Sequence, residues 1–525
     1  MFQSVKILFL TIVVITIAKS ADAAQKCQKK PHHDSFVCVC TEKRCDTIDP
    51  LKRTDNDVIQ IYESTRAGKR FARRIQKFGY NVKVLYAENR NLTIDRKQKF
   101  QEIIGFGGSF SDAASLGIGS LSKKLQHQVL SAYYGKKGIE YSVGRVVIAG
   151  SDFSNRPYTY DESPWDWNLV NYSFVEEDTK YKIPQLLLAQ ELSNIKLKYF
   201  ASSWAPPAWL KTNNKLNHGG GLHEAPGSIF YKTYAKYLLK FFDGYKAAGI
   251  DWWGMTIQNE PATGFDPWFP WNTCAFSPET ERDFLKKDLG PTMEAAGYTP
   301  ENFNIMVLDH NRNLLPAWAD KIFKDPEASR YAKGTGVHWY GNAVSSVKIY
   351  DDLHALHPDK FIFATEACTS GPDGDRTGLG NWTIGEEYAH DILRDLKHWV
   401  TGWTDWNLVL DMVGGPNWVQ NYQSAPIIVN AEKNEFYKNP SFYAMGHFSK
   451  FLPPKSVRIG ILPEIIVNPD SDQFQAGAFE RPDGGIVVII INSRDANQLV
   501  TITDTERWTV KINVEPHSFN SLLYY

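Results

Sequence analysis

Between about residue 101 and residue 453 the chain repeats one alternation. Short β-branched or aromatic runs are each followed by a stretch of helical periodicity. The strand runs are Gln101–Phe106, Arg145–Ala149, Leu197–Ser203, Trp252–Ile257, Asn304–Asp309, Thr335–Trp339, Phe361–Thr365 and Gly402–Val409. Between them lie periodic segments such as Lys123–Tyr134, Ile229–Ala248, Thr280–Ala295 and Glu386–Val400. Apolar strands of this kind need cover on both faces, and the intervening helices supply it. Eight β-then-α units predict an α/β fold, a (β/α)8 TIM barrel with elaborated loops. The alternative is an open, doubly wound sheet. That fold usually carries G-x-G-x-x-G after its first strand, and Gly105-Phe106-Gly107-Gly108-Ser109-Phe110 lacks the last glycine.

The tail reads differently. Glu464–Val467, Gln473–Phe479, Gly485–Ile491, Gln498–Ile502, Trp508–Ile512 and Ser518–Tyr524 are short strands separated by Asp, Gly and Asn turns, an all-β module. Val58–Tyr62 and Asn81–Thr93 are β-like, lack partners nearby in sequence, and are expected to pair with the tail.

The N-terminus has a short charged start, an apolar run from Ile7 to Ala18 and the A-x-A site Ala21-Asp22-Ala23. That is a secretory signal peptide over 1–23, with an apolar run too short to anchor in a bilayer. No later stretch of the sequence reads as a transmembrane segment. Cys27, Cys38, Cys40 and Cys45 crowd just behind the cleavage point, and in an oxidising compartment they read as two disulfide staples. Zinc, with His32 and His33 nearby, is the rival, but C-x-C and C-x4-C are not finger or ribbon spacings. Cys274 and Cys368 stand apart and read as free. Asn91, Asn171 and Asn381 each begin a glycosylation sequon.

Charge narrows the function. Lys and Arg number 58 against 59 Asp and Glu, without the basic excess of a nucleic-acid binder. The chain has no G-x-x-x-x-G-K-[ST], no H-E-x-x-H and no EF-hand loop, and Gly107-Gly108-Ser109-Phe110-Ser111 lacks the closing glycine of a nucleophile elbow. Two glutamates stand out by position. Glu260 follows the fourth strand in Asn259-Glu260-Pro261, and Glu366 ends the seventh. Strand ends at the C-terminal rim are where barrel active sites are built. Two carboxyls facing across that mouth suit glycosidic cleavage, one protonating the leaving oxygen and the other engaging C1. Asn259 adds an amide for a sugar hydroxyl; the plainer reading of Asn-Glu-Pro is a turn.

Other rims repeat the chemistry: Asp152-Phe153, Trp204, His338-Trp339-Tyr340 and Asp405-Trp406-Asn407. Acids and amides can grip sugar hydroxyls, while indoles stack on the C–H face. Arg145, at the start of strand two, orients a carboxylate or forms an ordinary ion pair inside the barrel.

Asn259-Glu260-Pro261, Thr365-Glu366-Ala367-Cys368, Phe106-Gly107-Gly108, Ser151-Asp152-Phe153-Ser154, the run Trp204 to Thr212, Val337-His338-Trp339-Tyr340, Gly402 to Asn407 and Gly414 to Trp418 occur in the order found in the glucosylceramidases. The chain resembles that family, lysosomal acid β-glucosidases that are retaining glycoside hydrolases, from Cys27 almost to Tyr525. The resemblance implies a small disulfide-linked β-module over 24–52 with pairs Cys27–Cys38 and Cys40–Cys45. It implies a β-sandwich from 53–100 plus 454–525, and a catalytic barrel over 101–453. It implies Glu260 as acid/base, Glu366 as nucleophile, and Asp152, Trp204, Asn259, Trp406 and Asn421 as glucose contacts. Arg145, His338 and Tyr340 would support the carboxylates. It also implies glucosylceramide at a membrane or lipid surface as substrate, a saposin-like activator protein as partner, no cofactor or metal, and a lysosomal address, with secretion the alternative.

The loop Phe265 to Asn272 departs from the family pattern and is unusually aromatic, and Ser151 and Tyr422 depart mildly. The rival readings are another β-glycoside, such as a sterol glucoside, and a catalytically silent binding homologue. A membrane-docked scaffold finds no amphipathic basic helix to support it. Double displacement requires carboxyls about 5–5.5 Å apart. The acid is expected to have a raised pKa, from burial and from its neighbouring carboxylate.

Overall fold

The computed structural model describes residues 25–79, 88–372, 374–463, 473–507 and 509–525. The leader read at 1–23, the strand read at 464–467, residues 81–87 and Trp508 lie outside the described residues.

Eight parallel strands close into a barrel: Gly105–Phe110, Val143–Ile148, Lys198–Ser203, Trp252–Thr256, Asn304–Asn311, Ala332–His338, Phe361–Glu366 and Val400–Asn407. Closure is made where Gly402 of the eighth strand pairs with Gly105 of the first. The first strand therefore starts four residues later than the sequence reading has it. Gln101 and Glu102 instead end a long strand, Glu88–Glu102, of a second sheet. The reading was misled because Gly105 to Gly108 carry almost no side chains to form a pattern. Their smallness is required: a Cβ on Gly107 would lie 2.2 Å from the Val143 carbonyl oxygen, and one on Gly108 would lie 2.6 Å from Leu408.

The helices pack around the barrel through aromatic faces. Ile229–Ala247 turns Phe230, Tyr234, Tyr237, Leu238, Phe241 and Tyr245 inward, at the three- and four-residue spacing of one helix face. Trp382–Lys397 begins four residues before the sequence reading, because the Asn381 side chain caps it by accepting from the Ile384 N–H. Asn381 is 8% exposed, against the open positions of the other two sequons. Asn91 and Asn171 are exposed. The lower end of the barrel lumen is filled by Val143, Phe200, Met306 and Phe363, with Trp253 and Phe361 against them. Each such buried side chain contributes about 1.5–3 kcal/mol.

The second sheet has nine strands, in the order 509–514, 498–504, 88–102, 457–462, 474–480, 486–492, 518–524, 58–65 and 72–77. Its early strands pair with the tail, Val58–Thr65 lying antiparallel to Ser518–Tyr524. The sheet curls until its edges meet, Gln76 Nε2 donating to the Lys511 carbonyl at 2.7 Å and Arg74 to that of Asn513 at 3.2 Å. This is the β-sandwich. Strand Ile486–Asn492 shows why its sequence is apolar throughout. Ile486, Val488 and Ile490 fill the sandwich, while Val487, Ile489 and Ile491 join the barrel's outer core.

The N-terminal hairpin, Lys29–His32 with Ser35–Cys40, is stapled by Cys27–Cys38 and Cys40–Cys45. It does not stand alone. Three strands that follow the eighth barrel strand, Glu435–Lys438, Ile427–Asn430 and Val409–Asp411, complete its sheet. With all four sulfurs in disulfides, no thiolate is left there for zinc. Cys274 and Cys368 are free and buried. Among the described residues no helix is long and apolar enough to cross a membrane.

Candidate active site

Above the apolar floor the lumen becomes polar. Along strand two, Val143 faces the floor and Arg145, two residues on, enters the upper layer. Phe200 and Ser202 on strand three, and Phe363 and Thr365 on strand seven, repeat that step. Arg145 is fully buried and touches four partners. It donates to Glu366, to Asn259 Oδ1 at 2.9 Å, to Asp309 Oδ2 at 2.9 Å and to Ser202 Oγ at 3.0 Å. A buried guanidinium is tolerable only when its charge is answered in this way.

Asp309 is the hub. Its Oδ1 accepts from Thr365 Oγ1 at 2.6 Å and lies 2.9 Å from His338 Nε2, while Oδ2 accepts from Thr256 Oγ1 at 2.6 Å as well as from Arg145. Its carboxyl is held well below the ordinary range: burial opposes this, but Arg145 and His338 outweigh it. Burial also opposes charge on His338, and Glu366 and Asp309 overcome it, raising the imidazole to about 10. The ring is therefore an imidazolium, with Nδ1 donating to Glu260 Oε1 at 3.2 Å.

Glu260 projects from a left-handed residue (φ 45°, ψ 56°) between strand four and the 3-10 turn Pro261–Phe265. Its N–H donates to the Asp309 carbonyl at 2.9 Å, which fixes the turn. Strained conformations of this type cost about 1–3 kcal/mol and collect at functional sites. Asn-Glu-Pro is thus both a turn and a presenter of a carboxyl. Glu366 ends strand seven, accepts from Arg145, and takes a second hydrogen bond from the Tyr340 hydroxyl at 2.9 Å. An oxygen of Glu260, one of Glu366 and a His338 ring nitrogen all lie within 4.8 Å of one another.

One expectation is reversed. The Glu260 pKa is lowered, not raised: burial pushes it up, but the hydrogen bond from His338 and the charges of His310 and His338 more than offset that. Asp152 takes the opposite shift. Burial, followed by the charge of Glu366, raises it to about 7, against hydrogen bonds from Asn421 and Asn417. Asn417 Nδ2 lies 3.1 Å, and Asn421 Nδ2 3.3 Å, from Asp152 Oδ2.

The indoles also behave differently from the sequence reading. Trp204 and Trp406 stack on each other, centroids 4.9 Å apart and 16° from parallel, with Arg145 4.9 and 5.4 Å from the ring centres. Each spends a face on the other, so what they offer a ligand is largely their edges. Among the described residues neither Nε1 has a protein acceptor. Asn259 gives its Oδ1 to Arg145, which leaves its Nδ2 as the donor for a ligand. Asp405 is turned away from the lumen and accepts from Tyr388 at 2.7 Å, and Trp339 packs against Tyr388 and Trp403. Asp309 was within reach of the sequence argument. It ends strand five as read from the sequence, much as Glu366 ends strand seven.

Residues 103–452 match the glycosyl hydrolase family 30 TIM-barrel domain, and residues 455–522 match that family's beta sandwich domain. The chain belongs to glycosyl hydrolase family 30. As a family 30 member it is a glycoside hydrolase. It is 40% identical over 489 residues to lysosomal acid glucosylceramidase of Mus musculus, spanning 93% of each chain. Among solved structures, SrfJ from Salmonella typhimurium matches with a TM-score of 0.79 at 27% identity, over 89% of this chain and 99% of that one. The endo-beta1,6-glucanase BT3312 matches with a TM-score of 0.77 at 25% identity, with the same coverage.

Proposed function

We propose that this family 30 enzyme hydrolyses glucosylceramide to glucose and ceramide with retention at the anomeric carbon. The observation that carries the reading is that an oxygen of Glu260 and one of Glu366 lie within 4.8 Å of each other, which favours the close carboxyl pair of double displacement, about 5–5.5 Å, over the wider inverting pair. Glu366, ionised beside Arg145 and Tyr340, attacks C1. Glu260, protonated, gives its proton to the departing oxygen, then as a carboxylate activates the water that releases glucose. Once Glu366 is esterified its negative charge is gone, which favours the ionised Glu260 that the second step needs. Asp152, Asn259, Asn421 and the edges of Trp204 and Trp406 bind the glucose hydroxyls.

The lowered Glu260 pKa works against the protonated form that the first step needs, and acidification favours that form. This supports action in an acidic compartment, and the likeness to the mouse lysosomal enzyme supports the lysosome, reached through the secretory pathway. Phe265 and Trp268, 62% and 81% exposed on the loop after Glu260, and Trp165 on the loop after strand two suit a substrate presented at a lipid surface, alone or with a saposin-like activator. The likeness to an endo-β1,6-glucanase makes a β-1,6-glucan the second reading.

The test is hydrolysis by purified protein at pH 5 of glucosylceramide in vesicles, with and without anionic lipid, beside a β-1,6-linked glucan. Ceramide and β-glucose released from the lipid are expected. Turnover of the glucan alone would reassign the substrate, and initial release of α-glucose would remove the double-displacement reading.

A further inference from the structure

Glu281 is a fully buried carboxyl that the proposed reaction does not use. It lies on the short helix Pro278–Phe284, outside the lumen, and its importance comes from the strand beside it. On strand five Met306 faces the lumen floor, while Ile305 and Val307 face the outer core. Regular alternation would next turn Leu308 inward and Asp309 outward. The strand does the reverse. Leu308 pairs with Gly336 and His310 with Val337, so Asp309 is an extra residue. Leu308 joins the outer core and Asp309 enters the lumen. Both are left-handed, at φ 71° and 49°, a region that non-glycine residues avoid. This is a β-bulge that re-aims a side chain.

Such a bulge needs an acceptor for the backbone group it displaces. The Leu308 N–H donates to Glu281 Oε1 at 3.1 Å, and the second Glu281 oxygen accepts from Trp318 Nε1. We propose that Glu281 is a positioning residue for the hydrolysis: by holding the Leu308–Asp309 bulge it keeps Asp309 in the lumen. Through Asp309 it fixes His338 and the Glu260 backbone, and so aims the acid. This rests on the assignment of Glu260 as acid/base. Burial raises the Glu281 pKa to about 7, against the hydrogen bonds from Trp318 and Leu308.

The experiment compares wild type, Glu281→Ala, Glu281→Gln and Trp318→Phe on aryl β-glucosides whose phenols range from good to poor leaving groups. Inactivation by an activated 2-fluoroglucoside, which needs the nucleophile but little acid assistance, is measured alongside. Glu281→Ala is expected to lower kcat/KM for the poorest leaving group by about 10–100-fold, the scale of small misplacements in a catalytic group, and for the best by only a few-fold. Glu281→Gln, which keeps an oxygen for Leu308, restores most of the loss, and Trp318→Phe stays near wild type. If Glu281→Ala does not fold, Glu281→Asp, too short to reach Leu308, takes its place with the same selective loss expected. Equal slowing across all leaving groups, or Trp318→Phe as damaging as Glu281→Ala, overturns the proposal. Wild type and Glu260→Gln serve as the reference: absence of leaving-group selectivity in Glu260→Gln would indict the acid assignment, whereas its presence there and absence in the Glu281 variants indicts the brace alone.

Discussion

The two ends of the barrel lumen are built by the same strands and do opposite things. At the floor Val143, Phe200, Met306 and Phe363 exclude water, and any one of them could be exchanged for another apolar group of similar size. Two residues further along on three strands, and three on strand five, Arg145, Ser202, Thr365 and Asp309 form one hydrogen-bonded unit in which each member satisfies another. The floor is stable through many small, replaceable contacts. The polar layer is stable only while complete, since a half-satisfied buried network is worse than an apolar one. The lesson is that pleat alone carries three strands from floor to site, while strand five needs an inserted residue to do so.

That contrast can be broken at its upper end first. Arg145→Leu removes the guanidinium from Asp309 and Glu366 and leaves His338 as the one cation beside both buried carboxylates, and a buried pair that loses one partner costs about 3–5 kcal/mol. Loss of measurable glucosidase activity and a lowered Tm are both expected; an active, stable variant would show that the polar layer is not a unit. Phe363→Ala at the floor is expected to cost a similar 3–5 kcal/mol in chemical denaturation. Its kcat per folded molecule should stay near wild type, because the lesion is one of packing. A large fall in kcat there would show that floor and site are not separable. The smallest effect is a shift in pH profile. His338→Gln keeps a donor but removes the positive charge that lowers the Glu260 pKa, so burial is less opposed and that pKa should rise. The alkaline limb of kcat/KM, which reports the proton on Glu260 in the free enzyme, should then move to higher pH. A limb that stays still or moves down contradicts the role given to His338.

The same contrast explains what could be read in advance. The barrel was legible because most of its strands carry β-branched or aromatic residues between helical stretches, and the exception, Gly105–Phe110, is the strand whose glycines close contact makes necessary. Glu260 and Glu366 were legible because a lone acid after an apolar strand is conspicuous. Asp309 is just as conspicuous, but strand five carries no aromatic beside it to suggest a sugar-binding rim. Its importance depends on a bulge, and no side-chain pattern announces one. The face-to-face packing of Trp204 and Trp406 was hidden for a related reason, since it joins residues 202 positions apart in sequence. The Glu260 shift could not be inferred because its sign is decided by two histidines, His338 and His310, contributed by other strands. Completion of the N-terminal sheet by Ile427–Asn430 and Glu435–Lys438 escaped because four-residue strands carry little periodicity.

The central claim is that Glu366 makes the covalent bond to glucose. It is tested most directly by incubating the protein with an activated 2-deoxy-2-fluoro-β-glucoside and mapping the trapped sugar by peptide mass spectrometry. The account predicts one fluoroglucosyl group per chain, on Glu366, and none in Glu366→Gln. Stoichiometric label on any other residue, or turnover of the reagent by wild type with no trapped adduct, would contradict it.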